Sequence, residues 1–193
     1  MALLDRLIAA DQAAFLAVNG AHSEAADVLM TVVSDLRIWF PLYVLFLVLI
    51  KLRWNWRGLW IALPLIALMV ACSDSGSVML FKNTVQRLRP CHEPLLAGLV
   101  HLVPEGCGGR FGFVSSHAAN HFAIAALMIG MLQRRPRWTV VALLAWAGLI
   151  AYSRVYLGVH YPADVLVGGL YGFAVGMLFF VLFRSIHQRS TAA

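Results

Sequence analysis

Charge is what this chain has least of. Lys, Arg, Asp and Glu together make up 12% of its 193 residues, where a soluble domain carries roughly a quarter. Hydrophobic residues make up 61%. The few charges are clustered, so long runs carry none; the clearest extends from Val165 to Phe183. This balance excludes an ordinary soluble domain, and a single-domain integral membrane protein over 1–193 is expected. Acidic residues number 9 against 15 basic ones, a net charge of +6. Nucleic acid is not the implied partner, because most of the cations stand at the ends of apolar runs or inside three polar clusters. No HExxH segment and no cysteine pair at ligand spacing occurs, which removes the usual sequence grounds for a metal site. Internal repeats and low-complexity stretches are absent too, and no cleavable signal is visible. The first twenty residues carry Asp5, Arg6 and Asp11 among Leu3, Leu4, Leu7, Ile8, Phe15 and Leu16. They read as an amphipathic helix, either lying on a membrane surface or packed as a terminal helix.

Five apolar segments are long enough to span, some only with their flanks: 36–52, 57–81, 116–133, 138–156 and 162–183. A span takes about 20 residues, with about 17 as a lower limit. The second is interrupted by the polar run from Cys72 to Ser77. The expected fold is all-α, a polytopic transmembrane helical bundle of five to six spans with an interfacial N-terminal segment, 1–35. Lys51, Arg53 and Arg57 join spans one and two. Arg134, Arg135 and Arg137 join spans three and four, and Arg184 and Arg189 follow span five. None of the acidic residues falls in these linkers, so the positive-inside rule makes them cytoplasmic. The loop from Lys82 to Ser115 and the turn carrying Ser153, Arg154 and His160 then share the outer face. The expected location is a bacterial inner membrane with the site extracytoplasmic.

Three clusters lie within the motif-bearing stretch 82–164: Lys82-x6-Arg89-Pro90, then Ser115-Ser116-His117, then Ser153-Arg154-x5-His160-x3-Asp164. Charged groups beside a bilayer are costly and call for a functional explanation. Lys82 and Arg89 are two helical turns apart and share a face if span two stays helical to Pro90. With Arg154 they supply a phosphate site, since guanidinium forks match phosphate oxygens and lysine adds a point charge. Asp164 stands one turn beyond His160, placed to accept from one imidazole nitrogen and leave the other free to attack phosphorus. Asp164 also suits the opening of a helix as an N-terminal anion, and both roles are compatible. His117 follows two serines at a helix start, a setting for anion binding and for a general acid. Arg87 and Arg110 are read as interfacial cations with snorkelling stems.

The clusters, KNTVQRLRP, VSSH and SRVYLGVHYPAD, resemble the signature of the type 2 phosphatidic acid phosphatase (PAP2) superfamily, K-x6-RP, PSGH and SR-x5-H-x3-D. The first and third agree in identity and spacing. In the second, Val114 stands for proline and Ser116 for glycine, which puts in question the close backbone approach that glycine allows. The resemblance implies a membrane-embedded helical bundle that hydrolyses lipid-linked phosphates with no cofactor and no metal. It implies that His160 forms a phosphohistidine, His117 protonates the leaving group and Asp164 orients His160. It further implies that Lys82, Arg89, Ser115 and Arg154 hold the phosphate, with Ser116 near it. The expected substrate is a phosphomonoester or terminal pyrophosphate: undecaprenyl pyrophosphate, a lipid A phosphate, phosphatidylglycerophosphate or phosphatidic acid. A phosphotransferase would use the same residues, a non-catalytic lipid-binding or transport protein would use only the cations, and a haem-binding membrane protein only the histidines.

Other residues keep alternatives open. His121, four after His117, is a neighbour of the phosphate site or a packed polar residue rather than a metal ligand. Cys91 and Cys107 share the outer loop, free or bridged, and an oxidising compartment permits the bridge. Cys72 is expected to be buried inside span two. Asp74 pairs with a cation such as Lys82 or Arg154, or sits in water at the interface. Gly168, Gly169, Gly172 and Gly176 mark close helix packing along span five, or a lipid entry groove.

Overall fold

The computed structural model describes residues 3–103, 106–132 and 136–192. Gln133, Arg134 and Arg135, on which part of the orientation argument rests, lie outside the described residues. Two short helices open the chain, α1 (Leu3–Asn19) and α2 (Glu24–Ser34). The sequence pattern left α2 unassigned because its apolar run is too short to span. Its start is nonetheless well signalled: the Ser23 hydroxyl accepts from Ala26 N at 3.3 Å, and Glu24 and Asp27 occupy the first turn. Both features stabilise a helix N-terminus.

A 3-10 turn, Leu36–Trp39, leads into α3 (Phe40–Gly76), which merges the first two expected spans. The two arms meet at Asn55, where φ is 61°. With ψ at −177° this is not the left-handed helical region but an extended one that favours glycine, and one such residue suffices to turn the chain. The turn is a reversal. Tyr43, early in the first arm, bonds His121, whereas Trp54 beside the bend donates to Met131 O at 2.9 Å. Ser77, just past the second arm, is back near the first end, 2.5 Å from Ser116. At the bend Lys51 lies over the Trp56 ring and Arg53 over the Trp54 ring, the basic and aromatic pairing of a membrane interface.

The polar run 72–77 does not interrupt the helix. It passes through Gly76 into a π-helical stretch, Ser77–Lys82, and one last turn, α4 (Asn83–Val85). Tyr171 packs directly on Gly76, and its hydroxyl donates to Cys72 O at 3.1 Å. The polar group is thereby satisfied from a neighbouring helix, as apolar surroundings require. Cys72 itself is exposed on the outer surface of the bundle, and it is Ser73 that turns inward; the expectation of a buried Cys72 assigned it to the wrong helix face. Asp74 is exposed as well.

The remaining helices are α5 (Ser116–Met131), α6 (Arg137–Tyr156) and α7 (Pro162–Ala192). α5 has 16 residues, about 24 Å of helix, and lies at the centre, packed on α3, α6 and α7. Its seam with α7 is built from small residues. A side chain at Gly172 would strike the Ala119 carbonyl, and one at Gly176 the Ala123 carbonyl. Close packing is therefore what these glycines provide. Among the described residues three helical stretches are long and apolar enough to cross a membrane: Leu36–Val85, which holds both arms, Arg137–Tyr156 and Pro162–Ser190. Large apolar side chains such as Trp60, Met79, Val141, Leu166 and Leu178 face outward, as a lipid-solvated bundle demands.

Candidate active site

The helix carrying Lys82 stops early. Gln86 takes φ 51° and the chain leaves extended. Lys82 and Arg89 therefore do not share a helical face as expected. Leu88 instead forms a β-bridge with Phe111, held by Arg89 N to Arg110 O at 3.1 Å and Gly112 N to Arg87 O at 2.9 Å. In extended chain, residues two apart point the same way. Arg87 and Arg89 accordingly both reach the His160–Asp164 pair.

Asp164 lies in the first turn of α7 and is fully buried; His160 precedes that helix and is 2% exposed. Oδ2 of Asp164 faces His160 Nδ1 at 3.3 Å and accepts from Tyr161 N at 3.0 Å. The second contact satisfies a donor at the helix start, so the orienting and capping positions coincide. Oδ1 accepts from Arg87 at 3.1 Å. On the other side, His160 Nε2 stands 3.4 Å from the Arg89 guanidinium. A carboxylate only accepts and a guanidinium only donates. The two neighbours thus assign the proton to Nδ1 and leave the Nε2 lone pair facing the cation. Burial pushes the His160 imidazole down to about 4, against the opposing pull of Asp164; the ring is neutral at pH 7.

Ser115 caps α5, accepting from Ala118 N at 3.4 Å, while its own N–H donates to the Asp164 carbonyl at 3.0 Å. Gly168 lies against the Ser115 carbonyl with no space for a side chain. The start of α5 is thereby seated on the start of α7. Lys82 Nζ donates to Ser116 Oγ at 2.9 Å, so a side chain now sits where a glycine would have left backbone alone. Arg89 and Arg154 line one cavity of about 210 Å³ with Cys107, Gly108 and Val159. Arg154 and His117 line a second, of about 570 Å³. Of the eight residues singled out in the sequence, Arg89, Arg154 and His117 line these cavities, His160 joins Arg89 to Asp164, the Asp164 carbonyl accepts from Ser115 N, and Lys82 bonds Ser116.

Several partners escaped the sequence reading. Arg87, read as an interfacial cation, bridges Asp164 and Asp11, the latter at 2.7 Å, and lies 3.9 Å from the Tyr161 ring centre. Asp11 in turn accepts from Ala163 N at 2.9 Å, which ties α1 to the start of α7. Ser77 and Ser34 hold Ser116 and Arg154 respectively. Arg110 is exposed near the Phe111 ring, as an interfacial cation is expected to be. His121 uses both ring nitrogens, on His117 O at 2.7 Å and the Tyr43 hydroxyl at 3.0 Å; it is a packed polar residue. Replacing Arg87 with Ala removes one of three donors to Asp164 and leaves two carboxylates facing. A small displacement of a reacting group costs on the order of 10²-fold, and a drop in kcat of that size with little change in KM is expected in a lipid phosphate assay.

Cys91 and Cys107 are joined in a disulfide, with Cα atoms 6.0 Å apart. The bridge ties the stretch that follows Arg89 and Pro90 to the cavity wall at Cys107 and Gly108. The Cys91→Ser, Cys107→Ser double variant is expected to lose about 2–4 kcal/mol of stability. Loosening Arg89 should cost about tenfold or more in kcat/KM. A reductant should produce the same loss in the wild type and none in the variant, readable by thermal melting and phosphate release.

The sequence profile of the PAP2 superfamily matches residues 58–188. A lipid A 4'-phosphatase of Bacteroides thetaiotaomicron is 34% identical over 93% of this chain and 79% of its own length. Phosphatidylglycerophosphatase B of Bacillus subtilis is 28% identical over 71% of this chain and 61% of its own. The crystal structure of Aquifex aeolicus LpxE aligns with a TM-score of 0.61 at 25% identity, covering 86% of this chain and 91% of that one. A Bacillus subtilis PAP2-type phosphatidylglycerolphosphate phosphatase aligns at 0.66 and 23% identity over 95% and 87%, a likeness of fold. The protein is an integral membrane phosphatase of the PAP2 type. It belongs to the PAP2 superfamily, among relatives that act on membrane lipids.

Proposed function

We propose that this protein hydrolyses a phosphomonoester or terminal pyrophosphate of a membrane lipid through a phosphohistidine on His160, at the extracytoplasmic face of a bacterial inner membrane. The observation that carries the reading is the His160 ring itself: neutral, its proton assigned to Nδ1 by Asp164, its Nε2 directed at the cations. The lipid headgroup phosphate sits among Lys82, Arg89 and Arg154, with Ser115 and Ser116 at its edge. Nε2 attacks phosphorus, the bond to the lipid oxygen breaks, and His117 supplies the proton to that oxygen. Water then attacks the phosphohistidine, His117 takes up its proton, the P–N bond breaks and inorganic phosphate leaves. Charge stabilisation by the three cations is the main catalytic term, as in phosphoryl transfer generally.

The orientation rests on the basic residues at the other end of the bundle. Lys51, Arg53 and Arg57 flank the Asn55 bend, and Arg184 follows Phe183, whose ring centre is 5.1 Å from that of Trp54. The positive-inside rule makes that end cytoplasmic. Among lipids, a lipid A phosphate is the first to test, since two relatives of that name align over 93% and 96% of this chain. The test is phosphate release from lipid A, undecaprenyl pyrophosphate, phosphatidylglycerophosphate and phosphatidic acid, with chelator present. Release that persists in chelator supports the reading. Loss on chelation overturns the metal-free mechanism, and phosphate passed to a second lipid instead of water makes the protein a phosphotransferase.

A further inference from the structure

We propose that the cavity between Ser34–Arg37 and His117 is the leaving-group subsite, where Asp35 and Arg37 select a lipid whose headgroup bears hydroxyls and a second anion. This rests on the phosphatase reading above and narrows its substrate class to lipids whose leaving group keeps a second anion and hydroxyls, such as bisphosphorylated lipid A or phosphatidylglycerophosphate, against phosphatidic acid.

The argument starts from the geometry of displacement. Attacking and leaving atoms stand on opposite sides of phosphorus. Arg89, 3.4 Å from His160 Nε2, lines the first cavity; His117, which supplies the leaving group's proton, lines the other. Arg154 lines both cavities and is the residue they share. A phosphate held by Arg89 and Arg154 must therefore direct the rest of its molecule towards Ser34, Asp35 and Arg37. That space, about 570 Å³, falls within the range of small-molecule sites, about 300–1,000 Å³.

The chemistry of the wall defines the ligand. Arg37 is exposed and offers a cationic fork, which suits a second phosphate or carboxylate. Asp35 offers a carboxylate, an acceptor for hydroxyls, although Oδ1 also accepts from Arg37 N at 3.0 Å. The diacylglycerol left by phosphatidic acid has no anion to place against Arg37, and the polyprenyl phosphate left by a pyrophosphate has an anion but no hydroxyl for Asp35. Leu36 then continues from the polar cavity into an apolar one of about 380 Å³ beside Tyr43, Phe46 and Val70. Polar space next to the reacting phosphate and apolar space beyond it is the order of groups in a lipid with a polar headgroup. The larger apolar groove between α6 and α7, about 750 Å³, shares no residue with the polar cavity.

The wall is held rigidly, as a selective surface must be. Ser34 accepts from Arg154. At the other end of α2, Asp27 accepts from the Tyr156 hydroxyl at 2.7 Å and pairs with His101 at 2.9 Å. Lowering of the Asp27 pKa follows first from the Tyr156 bond.

The experiment compares Arg37→Ala and Arg37→Lys with wild type on bisphosphorylated lipid A and on phosphatidic acid, in one detergent. Arg37→Ala is expected to raise KM for lipid A by about tenfold or more, as loss of a charge-assisted contact does. It should change phosphatidic acid turnover by less than about twofold, and lysine should restore part of the loss. Equal losses on both substrates, or none on either, overturn the proposal. Wild-type protein that hydrolyses phosphatidic acid but not lipid A overturns the subsite alone. Wild type that hydrolyses neither, nor any other lipid phosphate, overturns the phosphatase reading beneath it.

Discussion

Replacing His160 with Ala is expected to reduce phosphate release by about 10⁵–10⁶-fold, the scale seen when a covalent nucleophile is removed. Arg89, Lys82 and Arg154 remain in place, so lipid binding should survive. The residual rate would come from electrostatic stabilisation alone. Two measurements check this. Substrate binding to the variant by equilibrium titration should change little, and wild-type enzyme quenched during turnover should carry acid-labile phosphate on His160. Full activity of the variant, or phosphate on another residue, would sink the nucleophile assignment. The pH profile adds an independent test. Burial holds the His160 imidazole near 4, so its protonation limits activity only below about pH 5, rather than through the ordinary range near 6.5.

The second largest effect is expected for Asp164→Asn, about 10³–10⁴-fold in kcat, by analogy with removing the carboxylate that orients a catalytic histidine. The carboxylate only accepts, and so assigns the His160 proton to Nδ1. An amide can turn its NH2 towards Nδ1, and the proton then moves to Nε2, where it blocks attack. Arg87 also loses one of its two charged partners and keeps Asp11. The charge of Asp164 raises the His160 pKa against burial, so its loss must lower it further. The acid limb of kcat/KM should therefore move down in the variant, not up. A purely structural role would lower the amount of folded protein and leave that limb where it was.

The site was legible because its residues are chemically improbable where they stand. Cations and histidines at the ends of apolar runs have few roles, and their spacing brought Lys82, Arg89, His117, Arg154, His160 and Asp164 forward together. The pair His160 and Asp164 was legible in detail because four residues across a helix start place them side by side. Arg87 was missed for a definite reason. Helical periodicity across 82–89 puts Lys82 and Arg89 on one face and Arg87 on another. The left-handed Gln86 ends the helix, and the extended chain beyond it aligns Arg87 with Arg89. Periodicity changes from 3.6 to 2 at a single residue, and local sequence marks that change weakly. Asp11 was hidden by distance: it lies 152 residues before the Ala163 amide it binds, and no spacing rule reaches that far.

The sequence by itself determined the class: a bilayer-spanning helical chain with clustered cations and a histidine four residues before a carboxylate. Apolar run length and the scarcity of charge decide the first, and local spacing decides the second. The tertiary structure decided how those pieces meet. It alone showed the reversal at Asn55, the seat of α5 on α7 through Gly168 and Gly172, the Cys91–Cys107 bridge beside the cavity that Arg89 and Arg154 line, and the cavity that Ser34, Asp35 and Arg37 share with His117. Each depends on long-range packing, where the contacts that settle a conformation lie far away in the chain.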